Sequence, residues 1–289
     1  MTNLDIDAES IHKLQRMQWT AAAPGWQRYR DAVSSSTSLI TDLLIRLARI
    51  RKGDRVLDLA CGIGDPAFAI AKHVGTDGYV LGLDITPAML DGAQAYALQH
   101  GIHNVEFRLV SSELEIAVPA ASFDAVTCRY GLMYMPDPIA ALRALRDALK
   151  PGGCIAVSTW GPLEHCPFTA IPLQIVMRHI SDSLPNAKMP NPFALSTRGN
   201  LKRILRGAEL TNVQTEALDV IVYKADSPEA LWDQACEVSV ALAALLASLP
   251  EETRQGIRED AIRTFTGMFQ KGSAALSGEA LIAVGTKPG

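Results

Sequence analysis

Residues 56–66 read VLDLACGIGDP, and the order of residue types in this stretch decides the fold. A short apolar run predicts a buried strand, and Gly62 and Gly64 after it allow a tight turn and a close approach of the backbone to a ligand. Asp84 ends the next apolar run, twenty residues after Gly64. A carboxylate at that spacing can accept hydrogen bonds from both hydroxyls of a ribose. The stretch therefore predicts an α/β fold with a site for a nucleoside-containing ligand.

Strand and helix signals alternate on both sides of this stretch, from about residue 38 to residue 160. Further strands are predicted at residues 79–83, 105–110, 123–128 and 154–160. Thr86 and Pro87 mark the start of one of the intervening helices. Repeated β-α units need crossover connections, so they predict a mostly parallel sheet with helices on both faces.

The pattern changes after residue 160. Residues 161–196 are rich in proline and residues 228–270 are mostly helical, and we expect both to be lid insertions in a domain that spans residues 38–289. Strands predicted at 212–223 and 279–286 flank the second insertion and should pair with each other. Residues 1–37 precede the first α/β unit, and we expect them to form a helical cover segment.

Composition narrows the function classes. The chain has 289 residues, 48% of them hydrophobic, and a net charge of −4, which argues against binding nucleic acid or an anionic membrane through bulk charge. The five cysteines form no CxxC pair, so we expect reduced thiols and no bound metal. The polar N-terminus does not look like a signal peptide. We therefore expect a cytoplasmic enzyme with a small-molecule partner, and we leave homo-oligomer formation open.

The glycine loop has two interpretations. Gly62, Gly64 and Ala67 also satisfy the dinucleotide pattern G-x-G-x-x-G/A, so an NAD-dependent oxidoreductase is an alternative. Asp65, however, lies where a pyrophosphate would bind and would repel it, and Asp58 before the loop favours a cationic ligand. S-adenosylmethionine carries a ribose, an amino group and a sulfonium but no phosphate, and it fits these charges better.

Four motifs resemble the class I S-adenosylmethionine-dependent methyltransferases, above all the ubiquinone/menaquinone-biosynthesis type. They are VLDLACGIGD (56–65), LGLDITPAML (81–90), SFDAVTCRYGLMYMPDP (122–138) and LRDALKPGGCIAVSTW (145–160). The resemblance implies a Rossmann-like sheet of seven strands with the last strand antiparallel near the edge. It also implies O-, C- or N-methylation of a small metabolite in the biosynthesis of a quinone or a secondary metabolite.

The resemblance also implies which residues hold the cofactor. Those at the methionine end would be Asp58, Ala60, Gly62, Gly64 and Arg129. Asp84 would bind the ribose, with Ile85 and Met89 beside the adenine and Ser112 and Glu113 at the adenine edge. Many relatives carry an acid where this chain has Ser112, and we expect Glu113 to compensate.

A catalytic base is needed only if the acceptor must lose a proton. His165, with Glu164 beside it, follows the fifth predicted strand at the crevice edge, and His12 lies in the cover segment. Tyr29 is a further catalytic candidate. Trp19 is predicted to be a cofactor-binding residue. Tyr29, Trp19 and Trp26 would cover a sulfonium by cation–π attraction, or they would simply anchor the N-terminal helix.

The lid insertions are rich in Ala, Leu, Val and Ile, which predicts an apolar pocket for an apolar or aromatic acceptor. Displacement at an activated methyl group needs no signature nucleophile. A third interpretation is therefore a protein that keeps the cofactor pocket but acts as a cyclase or a binding protein without methyl transfer.

Overall fold

The computed structural model describes residues 7–180, 191–269 and 273–289. Within these ranges, seven strands form one sheet. They are β1 (Arg55–Leu59), β2 (Tyr79–Asp84), β3 (Val105–Leu109), β4 (Phe123–Arg129), β5 (Leu149–Trp160), β6 (Thr211–Ala225) and β7 (Ala274–Thr286). Their order is β3-β2-β1-β4-β5-β7-β6, and β7 runs antiparallel to both of its neighbours. The predicted fold class, with the last strand inserted antiparallel near the edge, is confirmed.

Helices cover both sides of the sheet. They are α1 (Ala8–Arg28), α2 (Arg30–Leu47), α3 (Ala67–Val74), α4 (Pro87–Gln99), α5 (Pro138–Ala148), α6 (Pro167–Met177), α7 (Arg198–Gly207), α8 (Pro228–Val238), α9 (Val240–Ala247) and α10 (Glu251–Thr266). Local chemistry sets several of their starts. Asp137, for example, accepts hydrogen bonds from the backbone N–H groups of Ile139 and Ala140, and Pro138 occupies the first position of α5.

The central strands are buried along almost their whole length. Four of the five residues of β1 are buried, as are five of the six residues of β2. Parallel strands covered by helices on both faces read as continuous apolar runs, which is why these strands could be predicted closely. The carboxyl ends of β1, β2 and β4 lie at the same edge of the sheet, where a ligand crevice is expected.

The N-terminal helices pack on this framework. The predicted boundary between residues 1–37 and 38–289 falls inside α2, which begins at Arg30 rather than at residue 38. The helix extends further because Val33, Thr37 and Ile40 continue its buried face at helical spacing. Residues 1–6 of the predicted cover segment lie outside the described residues.

The two predicted lid insertions contain α6 in the first and α8, α9 and α10 in the second. Residues 181–190 of the first and residue 270 of the second lie outside the described residues. β6 and β7 flank the second insertion and pair antiparallel from Ala225↔Ala274 to Thr211↔Thr286, as predicted. Among the described residues no helix alone is long and apolar enough for a bilayer, and α8 and α9 meet that test only together, with a bend of 93° between them.

Candidate active site

A cavity lies at the carboxyl ends of β1, β2 and β4, and its volume is about 1620 Å³ including the part open to solvent. On the β1–β3 side it is lined by the glycine loop and by residues that follow β2 and β3. We call this the loop half; it comprises Ala60, Gly62, Asp65, Asp84, Ile85, Met89, Glu113 and Arg129. On the β4–β6 side lies the aromatic half; it comprises Tyr130, Tyr134, Trp160, Phe168, Phe193, Val220, Val222 and Tyr223. The side chains of Trp19 and Trp26, from α1, also line the cavity.

Asp84 is held at the edge of the loop half by the backbone. Its Oδ2 accepts a hydrogen bond from the N–H of Gly62 at 2.9 Å, and its Oδ1 accepts one from the N–H of Thr86 at 2.9 Å. Burial raises the pKa of Asp84, and these two hydrogen bonds oppose that rise. A carboxylate has about four acceptor positions, so each oxygen can accept a further hydrogen bond. The arrangement fits the two hydroxyls of a ribose.

The two loop glycines serve different purposes. Gly62 lines the cavity with φ +53°, and a Cβ there would meet no atom within 4 Å, so its backbone leaves open space for a ligand. Gly64, at φ +95°, does not line the cavity, and the ring of Phe68 packs where its Cβ would lie. Packing, rather than ligand contact, therefore requires glycine at position 64.

The start of α3 is poorly suited to a pyrophosphate. Pro66 has no N–H, and the N–H of Phe68 donates to the carbonyl of Gly64 at 2.8 Å. These are the groups that a dinucleotide would use at a helix N-terminus. The predicted repulsion by Asp65 is weaker than the sequence alone suggests, because Arg129 pairs with this carboxylate. The occupied or missing N–H groups at the start of α3 are therefore a stronger argument against NAD than the charge of Asp65.

Arg129 binds the loop to α2. Its guanidinium donates to the hydroxyls of Thr37 and Thr41 at 2.5 and 2.9 Å, and to the carbonyl and carboxylate of Asp65 at 2.7 and 2.9 Å. The side chains of Arg129 and Asp65 are only 4% and 11% exposed. Four of the five N–H donors of Arg129 are thus used within the protein. Its implied contact with the methionine end of a cofactor stays a prediction.

Asp58 lies beneath the loop and does not line the cavity. Its Oδ1 accepts a hydrogen bond from the hydroxyl of Thr127 at 2.6 Å, whereas its Oδ2 is buried without a hydrogen-bond partner. Burial raises the pKa of Asp58 to about 7, although Thr127 and the charge of Arg129 pull it down. Because Asp58 does not reach the cavity, its implied place at the methionine end of a cofactor stays a prediction.

This pKa predicts a pH dependence of stability. In the folded chain Asp58 keeps its proton up to a pKa of about 7, whereas its ordinary value is 3.8. The stabilising effect of that proton is complete below the ordinary value and is lost as the pH rises toward about 7, with a limiting slope of about 1.4 kcal/mol per pH unit. Asp58→Asn removes this titration. In urea unfolding, the wild type should lose more free energy of unfolding than the variant between about pH 5 and about pH 7; parallel curves would contradict the assignment.

His12 and Glu113 meet at the outer end of the loop half. His12 Nε2 and Glu113 Oε2 are 2.6 Å apart, and their side chains are 10% and 5% exposed. Both residues line the cavity, so the pair ties α1 to the segment after β3. Nothing in the sequence indicated this pairing across 101 positions. Ser112 does not line the cavity, and its hydroxyl accepts a hydrogen bond from the N–H of Leu114.

The structure does not bring His165 and Glu164 to the cavity. Both are exposed, and His165 Nδ1 lies 3.3 Å from the carboxylate of Glu279. Phe168, in the helix that follows the short turn Leu163–His165, lines the cavity instead. Tyr29 also does not line the cavity, since it lies at the junction of α1 and α2. Of the four predicted catalytic residues, His12 lines the cavity and the other three do not, and all four roles stay predictions.

Two runs of aromatic rings face the aromatic half. In the first, Tyr130 stacks on Trp160 with ring centroids 4.0 Å apart, and Phe168 and Tyr223 continue the run at 4.5 and 5.8 Å. Sequence reasoning missed Phe168 and Tyr223 because α6 and β6 bring them together from distant positions.

The second run comes from α1 and the segment after β4. Trp19 meets Tyr134 edge-on at 5.5 Å and Trp26 at 5.7 Å. The indole N–H of Trp26 donates to the carbonyl of Val238 at 3.0 Å, so this residue both lines the cavity and anchors α1 to the junction of α8 and α9.

The sheet order, the glycine loop and the carboxylate at the end of β2 define a Rossmann-like protein with a nucleoside-binding crevice. A family model described as a methyltransferase domain matches residues 50–222, more than half of the chain. The chain belongs to this methyltransferase domain family, which confirms the class that the four motifs predict.

Two relatives with methyltransferase names and one solved structure of the same fold are similar to this chain. Demethylmenaquinone methyltransferase of Listeria monocytogenes is 32% identical over 149 residues, which cover 51% of this chain and 61% of that protein. Aklanonic acid methyltransferase DauC of a Streptomyces species is 33% identical over 145 residues, which cover 48% and 66%. The chain thus matches less than two thirds of the length of each. The crystal structure of the cyclase SpnF shares the fold, with a TM-score of 0.51 and 20% identity over 86% of this chain and 80% of that one.

Proposed function

We propose that the chain transfers a methyl group from S-adenosylmethionine to a small, largely apolar or aromatic acceptor, in the biosynthesis of a quinone or a secondary metabolite. The observation that carries the proposal is a cavity with a ribose-type carboxylate in one half and a wall of aromatic rings in the other. The two halves thus offer separate surfaces, one suited to a cofactor and one to an apolar acceptor. Family membership and the named relatives support the same reaction class.

The residues of the loop half fit S-adenosylmethionine. Asp84 would accept the ribose hydroxyls, Gly62 leaves space beside the loop, and Ile85 and Met89 offer apolar surface for a base. When bound, this cofactor supplies a methyl group that its sulfonium activates toward a nucleophile. The protein then has to align the acceptor and exclude water. α1 and the junction of α8 and α9 cover the cavity and serve that purpose.

Where the methyl acceptor must lose a proton, we propose that His12 takes that proton. Its Nε2 is paired with Glu113, and no hydrogen bond joins its Nδ1 to any residue in the described ranges. A histidine held in this way by a carboxylate can take a proton at its other nitrogen. The role of Glu113 would then be to orient His12 rather than to compensate for Ser112 at the adenine.

Three further points belong to the proposal. We infer a cytoplasmic location, supported by five cysteines that all remain free thiols. The principal partner would be the small acceptor, and the negative net charge supports the expectation of no nucleic-acid partner.

Ligand-dependent thermal unfolding tests the proposal directly. A ligand present at about 100 times its Kd adds roughly 2.7 kcal/mol to the free energy of unfolding, which should raise Tm by several degrees. We expect S-adenosylmethionine and S-adenosylhomocysteine to raise Tm, and NAD to leave it unchanged. A shift with NAD alone would overturn the proposal in favour of an oxidoreductase.

Turnover separates methyl transfer from the non-methylating alternative. The chain is incubated with S-adenosylmethionine and a panel of quinols, phenols and indoles, and S-adenosylhomocysteine is quantified. Its acceptor-dependent formation supports the proposal. A strong Tm shift combined with acceptor conversion and no S-adenosylhomocysteine would instead identify a cyclase that retains the cofactor pocket.

A further inference from the structure

Three tyrosine hydroxyls of the aromatic half have no hydrogen-bond partner in the described ranges: that of Tyr130, which is fully buried, and those of Tyr134 and Tyr223. Tyr134 and Tyr223 line the cavity from opposite runs of rings, one after β4 and one on β6. Neither hydroxyl forms a hydrogen bond with any residue of the described ranges. The only hydrogen bond of Tyr134 to another side chain uses its backbone carbonyl, which accepts from Gln15. Tyr223 is only 3% exposed. Phenol hydroxyls that line an otherwise apolar cavity usually find a hydrogen-bond partner, so Tyr134 and Tyr223 point to a polar atom of a bound molecule.

The charges of the cavity are confined to the other half. Arg129 is paired with Asp65, and His12 with Glu113, while the carboxylate of Asp84 is held by backbone N–H groups. The eight residues that define the aromatic half include no charged side chain. A carboxylate or an ammonium placed there would be desolvated without a counter-charge, which is costly. The aromatic half therefore favours a neutral occupant.

The two phenols remain hydrogen-bond donors at neutral pH. Burial raises the pKa of Tyr134 and of Tyr223 well above the ordinary range, and the neighbouring Tyr134 adds to the rise at Tyr223. Two neutral O–H donors in an otherwise apolar space match an acceptor oxygen, such as a ring carbonyl.

We propose that Tyr134 and Tyr223 determine acceptor specificity by donating hydrogen bonds to an oxygen of a neutral, ring-shaped acceptor held between the two runs of aromatic rings. This inference rests on the proposed function and deepens it. The site selects a neutral ketone, quinone or similar carbonyl compound over a hydrocarbon of the same shape. It also selects against a carboxylate of the same shape.

Binding of three shape-matched probes tests this without any methyl transfer. The full-length chain is titrated calorimetrically with 1-tetralone, tetralin and 1,2,3,4-tetrahydronaphthalene-1-carboxylate, with and without S-adenosylhomocysteine. The wild type should bind the ketone most tightly. Tyr134→Phe and Tyr223→Phe should each weaken ketone binding by roughly 2- to 10-fold, the worth of one net hydrogen bond, and leave tetralin binding unchanged.

Tyr79→Phe is the matched control. Its hydroxyl donates to Glu106 at 2.7 Å outside the cavity, so ketone binding should stay at the wild-type value. Unchanged ketone affinity in both cavity variants, equal losses for ketone and tetralin, or preferred binding of the carboxylate would each overturn the inference. So would failure of the wild type to bind the ketone. The titration needs no cofactor, so the two proposals are tested separately. The proposed function can fail in the Tm and turnover experiments while this inference stands, and this inference can fail in the titration while the proposed function stands.

Discussion

Replacing Arg129 by methionine is expected to destabilise the folded chain by about 3–5 kcal/mol, the usual cost of removing one partner of a buried ion pair. The substitution leaves the Asp65 carboxylate, 11% exposed, without its counter-charge. It also removes the donors to Thr37 and Thr41. The free energy of unfolding in urea measures the loss. Because Asp65 belongs to the glycine loop, we expect weaker binding of S-adenosylhomocysteine by the same variant.

Two further variants make this expectation specific. Arg46 and Glu216 form a surface ion pair, and their side chains are 65% and 41% exposed. Arg46→Met removes this pair and should lower the free energy of unfolding by no more than about 1 kcal/mol. Asp65→Asn combined with Arg129→Met removes both charges and should recover a large part of the stability. A loss in Arg129→Met no larger than that in Arg46→Met would show that the buried pair does not hold the loop.

Features that depend on contacts between residues near in the sequence could be predicted, whereas features that depend on contacts between distant residues could not. The strands around the glycine loop could be predicted because parallel strands buried on both faces are continuous apolar runs. Asp84 could be placed because its backbone partners, Gly62 and Thr86, belong to the same two β-α connections. Such features depend on local sequence and on the regular geometry of β-α units.

Side chains brought together by tertiary packing could not be placed in this way. His12 meets Glu113 only because α1 folds over the end of β3, and no local pattern encodes that contact. His165 was expected at the crevice from its position after β5, yet the turn Leu163–His165 points it outward. The resemblance placed Gly64 beside the cofactor, whereas its conformation and the ring of Phe68 explain the glycine by packing. Position after a strand indicates nearness to a crevice but not the direction of a side chain.

Asp84→Ala is expected to lower the affinity for S-adenosylmethionine by more than tenfold. The proposed ribose site depends on the Asp84 carboxylate, which is buried and fixed by two backbone N–H groups. A neighbouring side chain therefore cannot take over its position when it is removed. Hydrogen bonds to a charged acceptor contribute roughly 1.5–3 kcal/mol each, and about 1.4 kcal/mol corresponds to a factor of ten in Kd. Calorimetric titration of the folded variant with S-adenosylmethionine measures the effect.

The variant also leaves the N–H groups of Gly62 and Thr86 without their acceptor, so lost affinity has to be separated from a distorted loop. Asp84→Asn retains one oxygen acceptor and nearly the same shape, and we expect an intermediate affinity from it. Asp91→Ala removes an exposed acid from α4, outside the cavity, and should bind the cofactor as the wild type does. If Asp84→Ala unfolds with wild-type cooperativity and still binds S-adenosylmethionine with unchanged affinity, Asp84 does not hold the ribose. The ribose would then have to bind elsewhere in the cavity, since among the described residues Asp84 is the carboxylate that ends β2 and lines the loop half.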